Sequence, residues 1–318
     1  MIIHQFAASP FSEKIRIALG IKGATWQSVA VPRILPKPDL MPLTGGYRRT
    51  PVAQVGRDIY ADTRLILAEI DTRYPAPSLY PAASSASIAA FERLGDQVLF
   101  LAAIPLLLSE PGRAQLERAL GAEGLAAFRA DRAALFAHGR LGAPTPDFSA
   151  AHWHPSMARL DAQLAERAFL LGDAPTAADC AIYHPVWYVR GNPGVAEAVT
   201  RYPNVVAWAD RMAALGHGES QELASDTALD IAGKAEGFEP LAPGVAADSG
   251  LSAGQVVHVA ATDYGADIVA GELVYLGDDR IVIERHEPGL GRLRNHFPRA
   301  GFSVEAAEPG QGPNATVY

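Results

Sequence analysis

Few residues in this 318-residue chain combine a reactive atom with a setting that would activate it. Ser9 is one. In SPFSEKIRIALG (9–20) it precedes Pro10, and Phe11, Ile15, Ala18 and Leu19 then recur at the spacing of one helix face. A serine there caps the helix, because its hydroxyl satisfies an orphan amide, and the proline nitrogen that follows needs no partner. The same hydroxyl lies at the positive end of the helix dipole, among free N–H groups, where an anion is stabilised. Ser9 therefore reads as a cap and as a donor to something negative, with Ser12 a first-turn residue that could add a second hydroxyl. The other candidates offer less. Cys180 is the only cysteine, so neither an internal disulfide nor a cysteine metal cluster can form, and within its helical run it reads as a small buried apolar residue. His152 and His154 have a His-x-His spacing, but the stretch looks loop-like and has no acid close by, so no metal site is expected. Thr176 and Asp179 are spaced as a capping box, a folding element. Tyr183, His184 and Trp187 share the helix that follows and read as core or interdomain packing.

A hydroxyl at a helix start needs a strand to lead into it and a sheet to hold it. Residues 2–6 (IIHQF) read as that strand, and TWQSVAV (25–31) as a second. PRILPKPDLMPLTGGYRR (32–49) holds too many prolines for a long helix. PVAQV (51–55) and DIY (58–60) read as two strands joined at Gly56-Arg57, and DTRLILAEIDTRY (62–74) as an amphipathic helix with Leu65, Ala68 and Ile70 inward. The pattern is β-α-β, a linker, then β-β-α: a small mixed sheet with helices on its faces. From 85 to 222 the signal is almost wholly helical, broken at SEPG, HGRLGAPTPDF and GDAPT, with Pro105 expected to kink or end its helix. Hydrophobic residues at 49% against 19% charged suit a chain with a sizeable core. A net charge of −8 argues against a nucleic-acid partner. The longest apolar run, VLFLAAIPLLL (98–108), falls short of the roughly 20 residues that span a bilayer. MIIHQF lacks the basic head of a signal peptide, so a soluble, cytoplasmic protein without a membrane partner is expected.

SPFSEKIRIAL, RTPVAQV with DIYADTRLILAEID, and FLLGDAPTAADCAIYHPVWYV stand in an order and spacing that together resemble the cytosolic glutathione transferase superfamily over residues 1–222. The resemblance implies an α/β thioredoxin-like N-terminal domain (1–78), an all-α helical domain (85–225) and a homodimer. It places Ser9 where serine-type members keep the catalytic hydroxyl that hydrogen-bonds the glutathione sulfur; thiol-disulfide members have cysteine there. Pro51 matches the family's cis-proline, so the Thr50 backbone is expected to pair with the cysteinyl part of glutathione. Asp62 and Thr63 stand where the family has Glu or Gln followed by Ser, gripping the γ-glutamyl group, with the acid one methylene shorter. The stretch 32–47 replaces a helix that usually supplies contacts to the glycine carboxylate, leaving Arg48 or Arg49 as its bidentate donor. The substrate pocket is expected around Phe11, Phe91, Leu94 and Val98. The implied activity is transfer of glutathione, a co-substrate, to a small hydrophobic electrophile. The alternative is a transferase-like fold kept for binding or structure alone.

Past about 240 the helical signal stops. QVVHVAAT, IVAGELVYLG, RIVIERHE and GRLRNHF read as short strands, and 246–318 as a small barrel-like β domain outside the family boundary. DYG (263–265) and HFPRAGF (296–302) read as turn and packing elements, and no chemistry is recognised in them. The expectation is an independent module, joined through a Pro/Gly-rich stretch at 240–250, that packs on the helical domain. There it would change pocket access or assembly without adding catalytic groups.

Overall fold

The computed structural model describes residues 1–137, 143–242 and 244–307. β1 (Ile2–Gln5) leads into α1 (Pro10–Ile21), and β2 (Thr25–Ala30) returns parallel to β1. The prolines that follow leave room only for a four-residue helix, α2 (Met41–Thr44). β3 (Val52–Val55) and β4 (Asp58–Ala61) make the hairpin, turned at Gly56 with φ 58°, and α3 (Thr63–Arg73) follows. Successive strand side chains point to opposite faces. Ala53 and Tyr60 thus join one core with α1, α3 and the helical domain, while Val52, Ile59 and Ala61 face a second core.

The helical domain comprises α4 (Ser85–Arg93), α5 (Phe100–Leu108), α6 (Glu110–Phe136), α7 (Pro146–Leu164), α8 (Ala177–Arg190), α9 (Glu197–Thr200) and α10 (Pro203–Ala214). A π-turn, Leu94–Leu99, joins α4 to α5. Pro105 sits inside α5, which continues for three residues to Leu108, and α6 has a break of its own at Gly121, with φ 73°. Part of the expected break at 138–148 lies outside the described residues. His152 and His154 lie within α7, not in a loop. Two residues apart on a helix they point to different sides, one against Phe148 and the other to the Tyr202 hydroxyl.

The chain then comes back to the sheet, which the sequence did not suggest. β5 (Glu219–Glu222) pairs in parallel with β2, and α11 (Ser225–Lys234) covers the sheet through Ala228 and Ala232. β6 (Gly244–Val245), within the stretch expected to be a linker, pairs with β8 (Val269–Leu276). β7 (Val256–Ala261), β8, β9 (Arg280–Glu287), β10 (Gly291–Pro298) and β11 (Phe302–Ala306) complete the chain, and the last eleven residues of the expected β domain lie outside the described ones.

These strands do not stand apart. β10 pairs in parallel with β4, giving one continuous sheet in the order β11-β7-β8-β9-β10-β4-β3-β1-β2-β5. The free side of β10 thus goes to β4 and not back to β11. The second core mixes Leu40, Leu43, Val52 and Ile59 with Val257, Val259, Leu273, Ile283 and Phe297. At the seam the buried His296 bonds Asp58 at 2.7 Å and stacks on Tyr60. Asn295 donates to the Leu43 carbonyl at 3.0 Å, tying α2 to the same strands. The expectation of an independent module is therefore corrected, although Tyr264 and Gly265 do meet α6 of the helical domain. The C-terminal strands are an extension of the N-terminal sheet, because they pair with the edge of β4 and, together with α2 and α11, cover its apolar face.

Candidate active site

Ser9 caps α1 from an extended conformation, its Oγ accepting the Ser12 N–H at 3.1 Å. The hydroxyl proton has no acceptor among the described residues, although the side chain is buried at the wall of a cavity of about 500 Å³. A hydroxyl whose oxygen is held and whose proton is free is poised to donate to a ligand. Ser12 points elsewhere: its Oγ is buried without a partner and does not line the cavity.

Thr50 and Pro51 line the same cavity, and the bond between them is cis. Asp62 and Thr63 form the next part of the wall, at the end of β4. Asp62 has φ 71°, a conformation that costs a non-glycine residue on the order of 1–3 kcal/mol and is found mainly where function needs it. Its carboxylate accepts the Arg64 N–H at 2.9 Å and so caps α3. Beneath Thr63 runs a buried ionic chain. The Lys14 ammonium donates to Thr63 Oγ1 at 3.2 Å and to Asp96 at 2.8 Å, and Asp96 also pairs with His184 at 3.0 Å. Burial alone would raise the Asp96 carboxyl, but the charge of Lys14 and the His184 hydrogen bond outweigh it and hold it at about 2. Burial lowers His184 despite that bond, so its neutral form is favoured.

Both arginines expected near the glycine carboxylate line the cavity, and each already has a partner: Arg48 pairs with Asp131 of α6, and Arg49 with Asp263. Arg49 also lies over the Tyr264 ring, 4.1 Å from its centroid. Tyr264 in turn stacks on Phe136, and the Gly265 N–H donates to the Leu135 carbonyl at 2.7 Å. DYG is thus a wall of the cavity as well as a turn, and Ala300, Gly301 and Phe302 of the second C-terminal stretch line it too. Sequence reasoning missed this contribution because nothing local marks a loop as facing a site assembled by strand pairing some two hundred residues away.

The helical wall is also corrected. Phe11 lines the cavity, but Phe91, Leu94 and Val98 do not; Asp96, Gln97, Phe100 and Ile104 take that face. The π-turn at Leu94–Leu99, whose extra residue rotates every later side chain relative to an uninterrupted helix, accounts for Val98, while Phe91 and Leu94 precede that rotation and pack against the main core. Also missed were Arg33 and Lys37 from the proline-rich stretch and Arg129 and Arg132 from α6. Lys37 donates to the Arg48 carbonyl and to Thr50 Oγ1, and burial together with Arg132 and Arg48 brings its ammonium down to about 8.

The remaining candidates hold structure. Asp179 accepts the N–H groups of Thr176 and Leu170 at 2.9 Å and the Trp208 indole at 3.0 Å, at the start of α8. Burial pushes the Cys180 thiol up and away from reactivity. Among the described residues no group of three or more His, Cys, Asp or Glu side chains could hold a metal, and no helix is long and apolar enough to cross a membrane.

The profile of the glutathione S-transferase N-terminal domain matches residues 3–78, and that of the C-terminal domain residues 112–211. A GST-like protein from Pseudomonas syringae is 34% identical over 96% of this chain and 98% of its own, with a TM-score of 0.80. The chain belongs to the glutathione transferase superfamily. A glutathione S-transferase from Rhodospirillum rubrum F11 is 20% identical over 65% of this chain and 85% of its own, with a TM-score of 0.50. A Populus trichocarpa glutathione transferase is 13% identical over 73% of this chain and 98% of its own, also at 0.50; these two share the fold. No curated protein matches. The match to the Pseudomonas protein extends over the C-terminal strands as well, so the extended transferase-like fold is common to both chains.

Proposed function

We propose that this transferase-like protein binds glutathione at the Ser9 wall of the cavity and transfers it to a small electrophile with an apolar body. The observation that carries the reading is the buried Ser9 hydroxyl, fixed by the Ser12 N–H and with its proton uncommitted. A thiol of pKa near 8.5 is mostly protonated at neutral pH, and only the thiolate attacks well. A hydrogen bond from Ser9 and the N-terminus of α1 favour the thiolate, each pKa unit corresponding to about 1.4 kcal/mol. The thiol proton leaves to solvent and the sulfur bonds to the electrophilic carbon. The electron pair of the broken bond departs with the leaving group or, in an addition, moves to the adjacent carbon, which water then protonates.

In this reading the Thr50 backbone holds the cysteinyl part, Asp62 and Thr63 hold the γ-glutamyl group, and Arg48, Arg49 or Lys37 meets the glycine carboxylate. The apolar body packs on Phe11, Phe100 and Ile104. The enzyme works as a cytoplasmic homodimer, a state that sedimentation equilibrium measures. Ultraviolet titration of the enzyme–glutathione complex tests the chemistry: Ser9→Ala should raise the pKa of the bound thiol, loss of one such donor costing about 1–3 kcal/mol. Overlaying curves would reduce Ser9 to a cap. Binding without turnover of any electrophile would favour a fold kept for binding alone.

A further inference from the structure

Seven basic side chains line the cavity against three acidic ones. Two of the acids are already matched, Asp96 by Lys14 and Asp263 by Arg49. Asp131, just behind the wall, is shared by Arg48 and Arg132. The surplus is not spread evenly. Arg33 and Arg132 approach the Phe128 ring at 5.7 and 5.4 Å, Arg132 reaches the Arg33 carbonyl, and Arg129 follows on the same helix. Neither Arg33 nor Arg129 has a carboxylate partner among the described residues. Lys37, buried nearby, has only neutral oxygens for hydrogen-bond partners, and burial, followed by the charges of Arg132 and Arg48, lowers its basicity. Phe100, Ile104, Leu108, Phe128 and Tyr188 supply apolar surface beside it.

Glutathione does not absorb this excess. Its γ-glutamyl end is assigned to Asp62 and Thr63, its cysteinyl part to Thr50 and its glycine carboxylate to Arg48, Arg49 or Lys37, which leaves Arg33, Arg129 and Arg132 unused beside Phe128. Arginine is suited to such a place because its planar fork takes a carboxylate bidentately while its face stacks on an aromatic ring. We propose that the electrophile carries a carboxylate, held by Arg33 and Arg132 with its apolar body along Phe128, Phe100 and Ile104. The acceptor is then an amphipathic acid, not a purely hydrophobic molecule. This deepens the transferase reading and rests on it.

The test uses the full-length protein and two probe pairs. In 4-(chloromethyl)benzoate and its methyl ester the reacting carbon is the same: the sulfur–carbon bond forms as the carbon–chlorine bond breaks, and chloride leaves with the electron pair. The acid should exceed the ester at least tenfold in kcat/KM after correction for the uncatalysed rates. Arg33→Gln and Arg132→Gln should each lower the acid's value tenfold or more relative to the ester's, chiefly through KM. Equal rates for acid and ester, or variants that depress both alike, would overturn the proposal. Calorimetry with unreactive 4-methylbenzoate and its methyl ester gives a readout free of turnover. Preferential binding of the acid to the glutathione-loaded protein supports the proposal. Binding of the acid only in the absence of glutathione, or no binding to the loaded protein, overturns it by giving the cluster to glutathione or to structure. Failure of glutathione itself to bind would instead remove the transferase reading.

Discussion

Replacing Asp96 by Asn removes one charge from the middle of a buried chain and leaves its neighbours in place. The side chain of Lys14 is wholly inaccessible to water, so its ammonium would keep neutral oxygens such as Thr63 Oγ1 and the more distant charges of Glu92 and Asp62 as compensation. Breaking a buried ion pair from one side costs about 3–5 kcal/mol, because the remaining charge is stranded. The pH dependence gives a second, independent magnitude. The Asp96 carboxyl is at about 2 in the folded protein against 3.8 ordinarily, a depression worth about 2 kcal/mol. A depressed carboxylate contributes fully above its unfolded value and loses that contribution as pH falls through the folded one. The difference between wild type and Asp96→Asn should therefore be flat from pH 7 to 5 and shrink below pH 4, by about 1 kcal/mol at pH 3. Urea unfolding at a series of pH values measures it. Adding Lys14→Met to Asp96→Asn should recover most of the loss, since no uncompensated charge then remains buried. A cost below about 1 kcal/mol, no narrowing at low pH, or a double variant as unstable as the single one would refute the reasoning. Because Lys14 also holds Thr63, the single variant should raise the KM for glutathione.

Three further outcomes follow from the geometry. Gly95→Ala would place a methyl group 2.1 Å from the Ala181 carbonyl oxygen on α8, a backbone clash that should cost about 3 kcal/mol or more in unfolding free energy. Asp263→Asn releases Arg49 from its ion pair and should change the KM for glutathione about threefold to tenfold with little effect on kcat, as steady-state kinetics would show. Truncation after Leu241 exposes the edge of β4 and removes much of the second core, so the product should aggregate or lose cooperative unfolding by circular dichroism. A soluble, native-like truncated protein would show that the N-terminal sheet closes without its extension.

What could be read from the residues was local. Ser9-Pro10 marked the start of α1, the Gly56-Arg57 turn marked the hairpin, and Thr176 with Asp179 marked the start of α8, because each signal lies within a few residues of what it determines. The order of these signals was also enough to suggest the family. Three things escaped. The π-turn has no residue signature, so its rotation of Val98 away from the cavity was hidden, and Phe91 and Leu94, ahead of it, pack against the main core instead. The pairing of β10 with β4 is a choice of tertiary register between strands more than two hundred residues apart, and the strand pattern fits a separate barrel equally well. The basic face of α6 was invisible because Arg129 and Arg132 look like ordinary solvated charges until the fold sets them in the wall of the cavity.

The sheet also has a consequence for how the protein is made. Among the described strands β1 to β4 leave the ribosome first, and they have one edge completed by β5 and the other by β10, near the end of the described chain. Until those segments emerge, both borders of the nascent sheet remain open and half of its apolar surface is uncovered. At roughly 5–20 residues per second, the interval between β4 and β10 amounts to tens of seconds. During it the helical domain, whose contacts are mostly nearer in sequence, can form around its own core. The early strands must then be kept from pairing with neighbouring chains, and the last strands act as a clasp that makes the first ones safe.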